Sequence, residues 1–334
     1  MEALKEMIIV PEGQPQSNRI GMFVVRTANQ CIDESSKLPK PKCYFNGLIY
    51  EEDLTIIFAE PGAGKSLLAV QEADTISRNE NEKVLYIDFE LSDKQFDARY
   101  ETESGEYYRF HDNLLRINVD FFVDPPPGMD DESHLMKSLE DTIVSTGAKI
   151  VFIDNLTFLK SEIEKGKEAL SIMRGLKKIQ RRYQLTIVVL AHTPKRDRSR
   201  PLTMNDLAGS RNLANGCDAM FAIGISSTDP AIRYIKQFKS RWEVLKYTQD
   251  NVIIYQLEKR PDGFLGFTWL EYGNELNYIK EETIMDRKER DEQIMILHRA
   301  GKSNGAIGRE LKISTMTVGR IIKKSECYSV IPNN

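Results

Sequence analysis

Apolar residues follow two alternating rhythms along this chain from about residue 54 to residue 191. Short unbroken runs rich in β-branched residues read as strands buried on both faces: Leu54–Ala59, Lys83–Glu90, Leu114–Val119, Lys149–Asp154 and Leu185–Ala191. Between them apolar positions return at helical spacing over about 65–78, 132–145 and 165–182. Ser92 to Tyr100 reads as a further helix, capped by Ser92 or Asp93. This alternation predicts an α/β domain, a mostly parallel sheet with helices on both faces.

Beyond about residue 217 the rhythm changes. Ala219–Gly224, Arg233–Phe238, Val252–Leu257 and Phe264–Leu270 are closely spaced, with turn signals such as Arg260-Pro-Asp-Gly263. They are expected to add antiparallel strands to one edge of the sheet. A third pattern begins near Asp286, where charged residues lead into Ile294-Met-Ile-Leu-His298, Ile307-Gly-Arg-Glu-Leu311 and Thr317-Val-Gly-Arg-Ile-Ile322. The expected plan is an arm over 1–40, a core domain over 41–283, a small all-α module over 284–327 and a tail over 328–334. In the arm, Pro11–Gln16 reads as loop, Ile20–Asp33 as strand or short helix, and Lys37–Lys42 as a charged connector. The arm suits packing on its own domain or on a neighbouring subunit equally well.

Composition narrows the class. At 334 residues with 41% hydrophobic and 29% charged residues, the chain has the makeup of a globular protein with one large and one small domain. A net charge of −4 excludes a general basic field, so a nucleic-acid partner must meet local patches. Cys31, Cys43, Cys217 and Cys327 lie far apart without a C-x-x-C pair, and His111, His134, His192 and His298 are scattered. Reduced thiols of a cytoplasmic protein are the expectation, with no structural zinc. No basic-then-apolar leader and no run long enough to span a membrane is evident, so no membrane partner is expected.

The chemistry concentrates after the first apolar run. Ala59-Glu-Pro-Gly62-Ala63-Gly64-Lys65-Ser66-Leu67 is a Gly-rich loop between a strand and a helix, the phosphate-binding loop of nucleotide hydrolases. Glycine is needed where backbone N–H groups close around phosphate oxygens. Lys65 supplies charge to the β- and γ-phosphates, and the Ser66 hydroxyl suits Mg²⁺. Ala59 stands where such loops usually begin with Gly. The expected ligands are therefore ATP and Mg²⁺, held by Gly62 to Leu67. Asp154 ends an apolar strand as a Mg²⁺-positioning Walker B carboxylate does. Glu90 follows the second strand and is the candidate general base, ahead of Asp88. His192 follows the fifth strand, where a polar side chain can touch the γ-phosphate. Four basic residues come next, Lys195, Arg196, Arg198 and Arg200, suited to a single-strand phosphate backbone or to a solvated surface loop.

These ordered motifs, over about residues 41–272, resemble the RecA-like ATPases, and among them the DnaB-type and plasmid RepA hexameric helicases. The resemblance implies that Glu90 is the catalytic base, that His192 senses the γ-phosphate, and that the following loop faces a DNA channel. It also implies that Lys239 and Arg241, within Lys239-Ser-Arg241, reach a neighbouring subunit's nucleotide in a homo-oligomeric ring such as a hexamer. A solvated face is the other reading of that pair. The C-terminal module resembles a helix-turn-helix, with Ile307, Leu311, Ile313, Val318 and Ile321 packing two helices. Thr315, Thr317, Arg320 and Lys323 then face a duplex groove. Gly308 and Lys312 depart from the common pattern there, and a helical bundle for subunit contacts is the alternative. The expected function is an ATP-dependent DNA translocase or helicase of a plasmid, phage or other mobile element. The alternatives are a non-unwinding ATP-switch regulator or loader, and a recombinase-like filament former.

Overall fold

The computed structural model describes residues 19–120, 122–155, 167–194, 196–207, 210–279, 284–311 and 315–328. The chain forms two compact units, Met1–Ile279 and Lys280–Asn334. In the first, a short hairpin of β1 (Arg19–Ile20) and β2 (Phe23–Val24) precedes helix α1 (Ala28–Ser35). Thr27 and Gln30 close the start of α1 as a reciprocal capping box, yet no residue of that helix is buried. A second hairpin, β3 (Cys43–Phe45) and β4 (Ile49–Tyr50), leads to the central sheet.

The elements then alternate as the apolar pattern predicts: β5 (Leu54–Ala59), α2 (Lys65–Glu80), β6 (Val84–Asp88), α3 (Asp93–Asp97), β7 (Leu114–Asn118), α4 (Asp131–Thr146), β8 (Ile150–Asp154), α5 (Lys167–Tyr183) and β9 (Thr186–His192). Next come α6 (Ser210–Gly216), β10 (Ala219–Ile225), β11 (Ile232–Lys239), β12 (Val252–Lys259) and β13 (Leu265–Gly273). The nine strands lie in the order β13-β12-β11-β10-β5-β9-β8-β6-β7. The run from β10 to β7 is parallel, and β11, β12 and β13 are antiparallel additions. This is a RecA-like α/β fold.

Strand β10 departs from the antiparallel expectation. It runs parallel to β5, from Ala219 opposite Thr55 to Ile223 opposite Ala59. Helix α6, which the apolar spacing does not announce, carries the chain to the starting end of the sheet, as a parallel connection requires.

The two faces of the sheet carry separate cores. Leu54, Ile56 and Phe58 of β5 pack in one core with Leu139 and Ile143 of α4 and Ile172, Leu176 and Ile179 of α5. Ile57 and Ala59 belong to the other, with Leu67, Leu68, Val70 and Ile76 of α2. Because successive side chains of a strand point to opposite faces, an unbroken apolar run is what a two-sided core demands. Helix α2 is also tied to the outermost strand. The Gln71 amide donates to the Phe267 carbonyl at 3.1 Å and accepts the Phe267 N–H at 2.7 Å, which occupies both backbone groups at that point of the sheet edge.

Among the described residues the second unit holds α7 (Ile284–Arg299), α8 (Asn304–Leu311) and α9 (Thr315–Tyr328). Ile294, Ile307, Val318, Ile321 and Ile322 form its core. Gly301, at φ +81°, turns the chain after α7 in a conformation that favours glycine. Ser303 caps α8 by accepting the Ala306 N–H at 3.3 Å. Lys312, Ile313 and Ser314 lie outside the described residues.

Candidate active site

Strand β5 stops at Ala59, whose side chain is fully buried in the α2-side core. Gly62 and Gly64 then turn the loop at φ +78° and +96°. At Gly64 a Cβ would also meet the Phe267 ring at 2.9 Å, so another residue there would have to push that ring aside as well as adopt a left-handed backbone. The Ala63 N–H donates to the Glu60 carbonyl at 3.2 Å and tightens the turn. Helix α2 starts without a side-chain cap. Its first N–H groups therefore lack intrahelical acceptors, and the positive end of its dipole meets the loop.

Four neighbouring strands end around this loop. Ala59 of β5 is level with His192 of β9, and Asp154 of β8 is level with Asp88 of β6. Lys65 is 5% exposed and donates from Nζ to the Ala59 carbonyl at 3.3 Å and to His192 Nδ1 at 3.0 Å. An ammonium only donates, so Nδ1 accepts and the ring proton sits on Nε2. That nitrogen lies 3.1 Å from Glu90 Oε1, to which it donates. The Asn155 amide donates to the same oxygen, and its nitrogen is 2.8 Å from Nε2. Lys65, His192 and Glu90 thus form one hydrogen-bonded row.

The electrostatics follow from burial. Desolvation pulls the Lys65 ammonium down to about 8, against the opposing pull of Asp154 and Glu90. The hydrogen bond from His192 holds the Glu90 carboxyl below its ordinary range, outweighing partial burial. Asp154 is 1% exposed, and burial pushes its carboxyl up. It accepts the Tyr86 hydroxyl at 2.6 Å and the hydroxyl of Ser66. Among the described residues its hydrogen-bond partners are hydroxyls rather than a cationic side chain, which leaves a hard oxygen donor pair, Ser66 and Asp154, at the loop.

Strand β6 ends at Asp88, two residues before Glu90. The Asp88 carboxylate accepts the N–H groups of Glu90 and Leu91 at 3.0 and 2.9 Å and the Arg116 guanidinium at 2.9 and 3.1 Å. Its lone pairs are spent on turning the chain and aiming Glu90.

The basic loop after His192 is folded onto its own domain. Lys195 lies outside the described residues. The Arg196 N–H donates to Glu60 Oε1 at 3.2 Å, and its guanidinium donates to the Arg200 carbonyl at 2.8 Å and the Tyr234 hydroxyl at 3.2 Å. Arg198 pairs with Glu60 Oε2 at 2.9 Å, and Arg200 grips Asp206 with two nitrogens. Glu60 is thus a carboxylate of the phosphate loop that holds this loop directly.

Lys239 and Arg241 are not brought to the site of their own chain. Strand β11 runs against β10, so Lys239 is level with Met220 and hence Ile56, and Arg241 lies beyond it against Asp218 at 3.3 Å. Asp218 bonds to both backbone groups of Leu54, about 17 Å of strand from Ala59. Lys239 donates to the carbonyls of Ala214 and Cys217. In the second unit Thr315 and Lys323 are exposed, and the side chains of Thr317 and Arg320 lie outside the described ones.

Glu60, Tyr86, Asn155 and Arg233 join the site without having been singled out by the sequence. Glu60 and Asn155 adjoin motif residues, a signal within reach of the sequence alone. Arg233 carries none, because its place depends on the direction of β11.

A Gly-rich loop at an uncapped helix start, with Lys, Glu, Asp and His at the carboxyl ends of adjacent parallel strands, defines a nucleotide-binding P-loop ATPase. The AAA domain family matches residues 25–198, and the chain belongs to that family. No curated protein matches it. No helix among the described residues is long and apolar enough to cross a membrane.

Proposed function

We propose that the protein is a Mg-ATP hydrolase that drives movement on DNA, an oligomeric translocase or helicase serving a plasmid, phage or other mobile element. The observation that carries this reading is the row Lys65–His192–Glu90 together with the loop that follows His192, whose Arg196 and Arg198 bond Glu60 of the phosphate loop. It joins the groups that handle the γ-phosphate to the loop suited to a nucleic-acid backbone. Lys65 and the N–H groups of Gly62 to Leu67 hold the β- and γ-phosphates. Ser66 and Asp154 are the residues that would hold Mg²⁺, whose chemistry is to neutralise charge spread over the transferring phosphoryl group. Glu90 orients a water and accepts its proton as the water oxygen bonds to the γ-phosphorus and the bond to the bridging oxygen breaks, releasing ADP and phosphate. His192 donates to Glu90 and accepts from Lys65, so loss of the γ-phosphate changes what both neighbours bind, and the change passes along the chain to the basic loop that begins three residues on.

Arg241, half exposed, is proposed to serve a neighbouring subunit's nucleotide, and the C-terminal module to bind duplex DNA as a helix-turn-helix. A second reading, an ATP switch that does not unwind, is favoured by one observation: the three described arginines of the loop already have intrachain partners. Steady-state ATP hydrolysis without DNA, with single strands and with duplex separates the two. Stimulation of at least tenfold by single strands, lost when Arg196, Arg198 and Arg200 are neutralised together, supports the translocase. Turnover indifferent to single strands sinks it in favour of the switch.

A further inference from the structure

The phosphate loop is braced from outside by strands that lie beyond the matched segment 25–198. Phe267 of β13 stands against Gly64, and Arg233 of β11 reaches the loop carbonyls. Arg233 is 6% exposed. Its Nε donates to the Ala63 carbonyl at 3.0 Å and its Nη2 to the Gly62 carbonyl at 3.4 Å. Its Nη1 donates to the carbonyls of Pro230 and Ile232 at 2.6 and 3.0 Å. A guanidinium has five N–H groups, and four are accounted for here by backbone carbonyls. Among the described residues no carboxylate forms an ion pair with it. Burying a cation without a directly bonded counter-ion is costly, and Asp229 favours the Arg233 charge only from a distance, so a fold that keeps it beside an anion site gains from it when the anion is present.

Geometry adds to charge. In a trans peptide the C=O and the following N–H point in opposite directions. Pinning the Ala63 carbonyl to Arg233 therefore turns the Gly64 N–H away from Arg233. Carbonyl oxygens are also the groups that would repel a polyphosphate, and the fork holds two of them outward. Burial first, and then Arg198, which pairs with Glu60 on the same loop, oppose the Arg233 charge, against a smaller favourable pull from Asp229.

We infer that Arg233 is a positioning residue of the phosphate loop, fixing the Gly62 and Ala63 carbonyls outward and supplying a buried positive charge that polyphosphate compensates. The inference rests on the reading of residues 59–67 as the nucleotide site. It makes the antiparallel extension of the sheet part of that site.

The test uses the full chain and a fluorescent N-methylanthraniloyl-ADP as probe. Arg233→Gln is expected to weaken probe affinity about tenfold and raise KM for ATP to match, with kcat at saturation within about threefold of the parent. A residue that only holds the fold would lower the active fraction and the melting temperature while leaving the affinity of the folded molecules unchanged. Should Arg233→Gln fail to fold, Arg233→Lys keeps the charge but cannot span both carbonyls. Its affinity is expected to be about threefold to fivefold weaker, and an unchanged value overturns the inference. Lys65→Ala is the reference. Loss of affinity there with none at Arg233→Gln rejects the role of Arg233 alone, whereas no loss in either variant removes the nucleotide-site reading with it.

Discussion

The two ends of the central sheet are both crowded with charge, and they use it in opposite ways. At the starting end of β5, Asp53 and Asp218 are buried, and each has a partner. Asp218 takes Lys177, Arg241 and the Leu54 N–H, while Asp53 takes the Trp242 indole. Lys239 caps the carbonyls at the end of α6. At the other end Lys65 bonds a carbonyl and a neutral imidazole, and Asp154 bonds two hydroxyls. Cation and carboxylate lie close yet take neutral partners. A buried ion pair satisfied within the chain offers little to a ligand, whereas a buried charge with only neutral partners retains much of its field for one. Charge density alone does not mark the active end: there Asp88 and Glu60 are paired with Arg116 and Arg198, and it is Lys65 and Asp154, with their neutral partners, that stand apart.

The sharpest way to break this contrast is at Glu90. Glu90→Gln should lower kcat by about 10²–10⁴-fold while ATP stays bound, read by single-turnover hydrolysis and probe affinity. Hydrolysis near the parent rate would remove the base from the active end. Arg241→Ala probes the opposite end, where Arg241 is the half-exposed member of a paired cluster. Hydrolysis is expected to fall more than tenfold with nucleotide affinity intact, and to recover partly in mixed assemblies with unaltered subunits. An unchanged rate would make the whole starting end structural.

Two pH effects sharpen the same contrast. Burial holds Lys65 at about 8, so its ammonium is lost as pH rises through that value, and ADP affinity should fall severalfold between pH 7 and 9. Flat affinity over that range would show that the ammonium is not what binds phosphate. Asp53 works the other way. Burial pushes it up to about 6, above its ordinary value of 3.8, so the folded chain holds the extra proton between those values and loses stability as pH rises through them. Asp53→Asn removes that loss. Between pH 4 and 6.5 its melting temperature should fall less than the parent's, by a few degrees.

Much of this was legible in the sequence because periodicity reports burial directly. The runs at 54–59, 150–154 and 186–192 appear as strands within a residue or so of the expected bounds, and Lys65, Glu90, Asp154 and His192 sit where strand ends meet. What periodicity does not carry is strand order. Arg233 lies by the phosphate loop and Lys239 at the far end because β10 runs parallel beside β5 and β11 returns antiparallel along it; the second direction was expected, the first is a tertiary fact. The loop arginines were legible as charge but not as partners, since Glu60 is 138 residues from Arg198 in the chain. Strand β6 ending at Asp88 rather than Glu90 depends on a side chain capturing two N–H groups, which an apolar count does not see.

The hydrogen bond from the Trp242 indole to Asp53 Oδ2, 3.0 Å long, has an optical consequence. The chain has two tryptophans, Trp242 and Trp269, both in the first unit and both about half exposed. Tryptophan emission, excited apart from tyrosine, therefore reports on the ATPase unit and not on the second unit, whose Tyr328 is its own emitter. Because one of the two emitters touches a carboxyl that titrates near pH 6, the unlabelled protein carries its own colour-coded reading of the end of the sheet remote from the nucleotide.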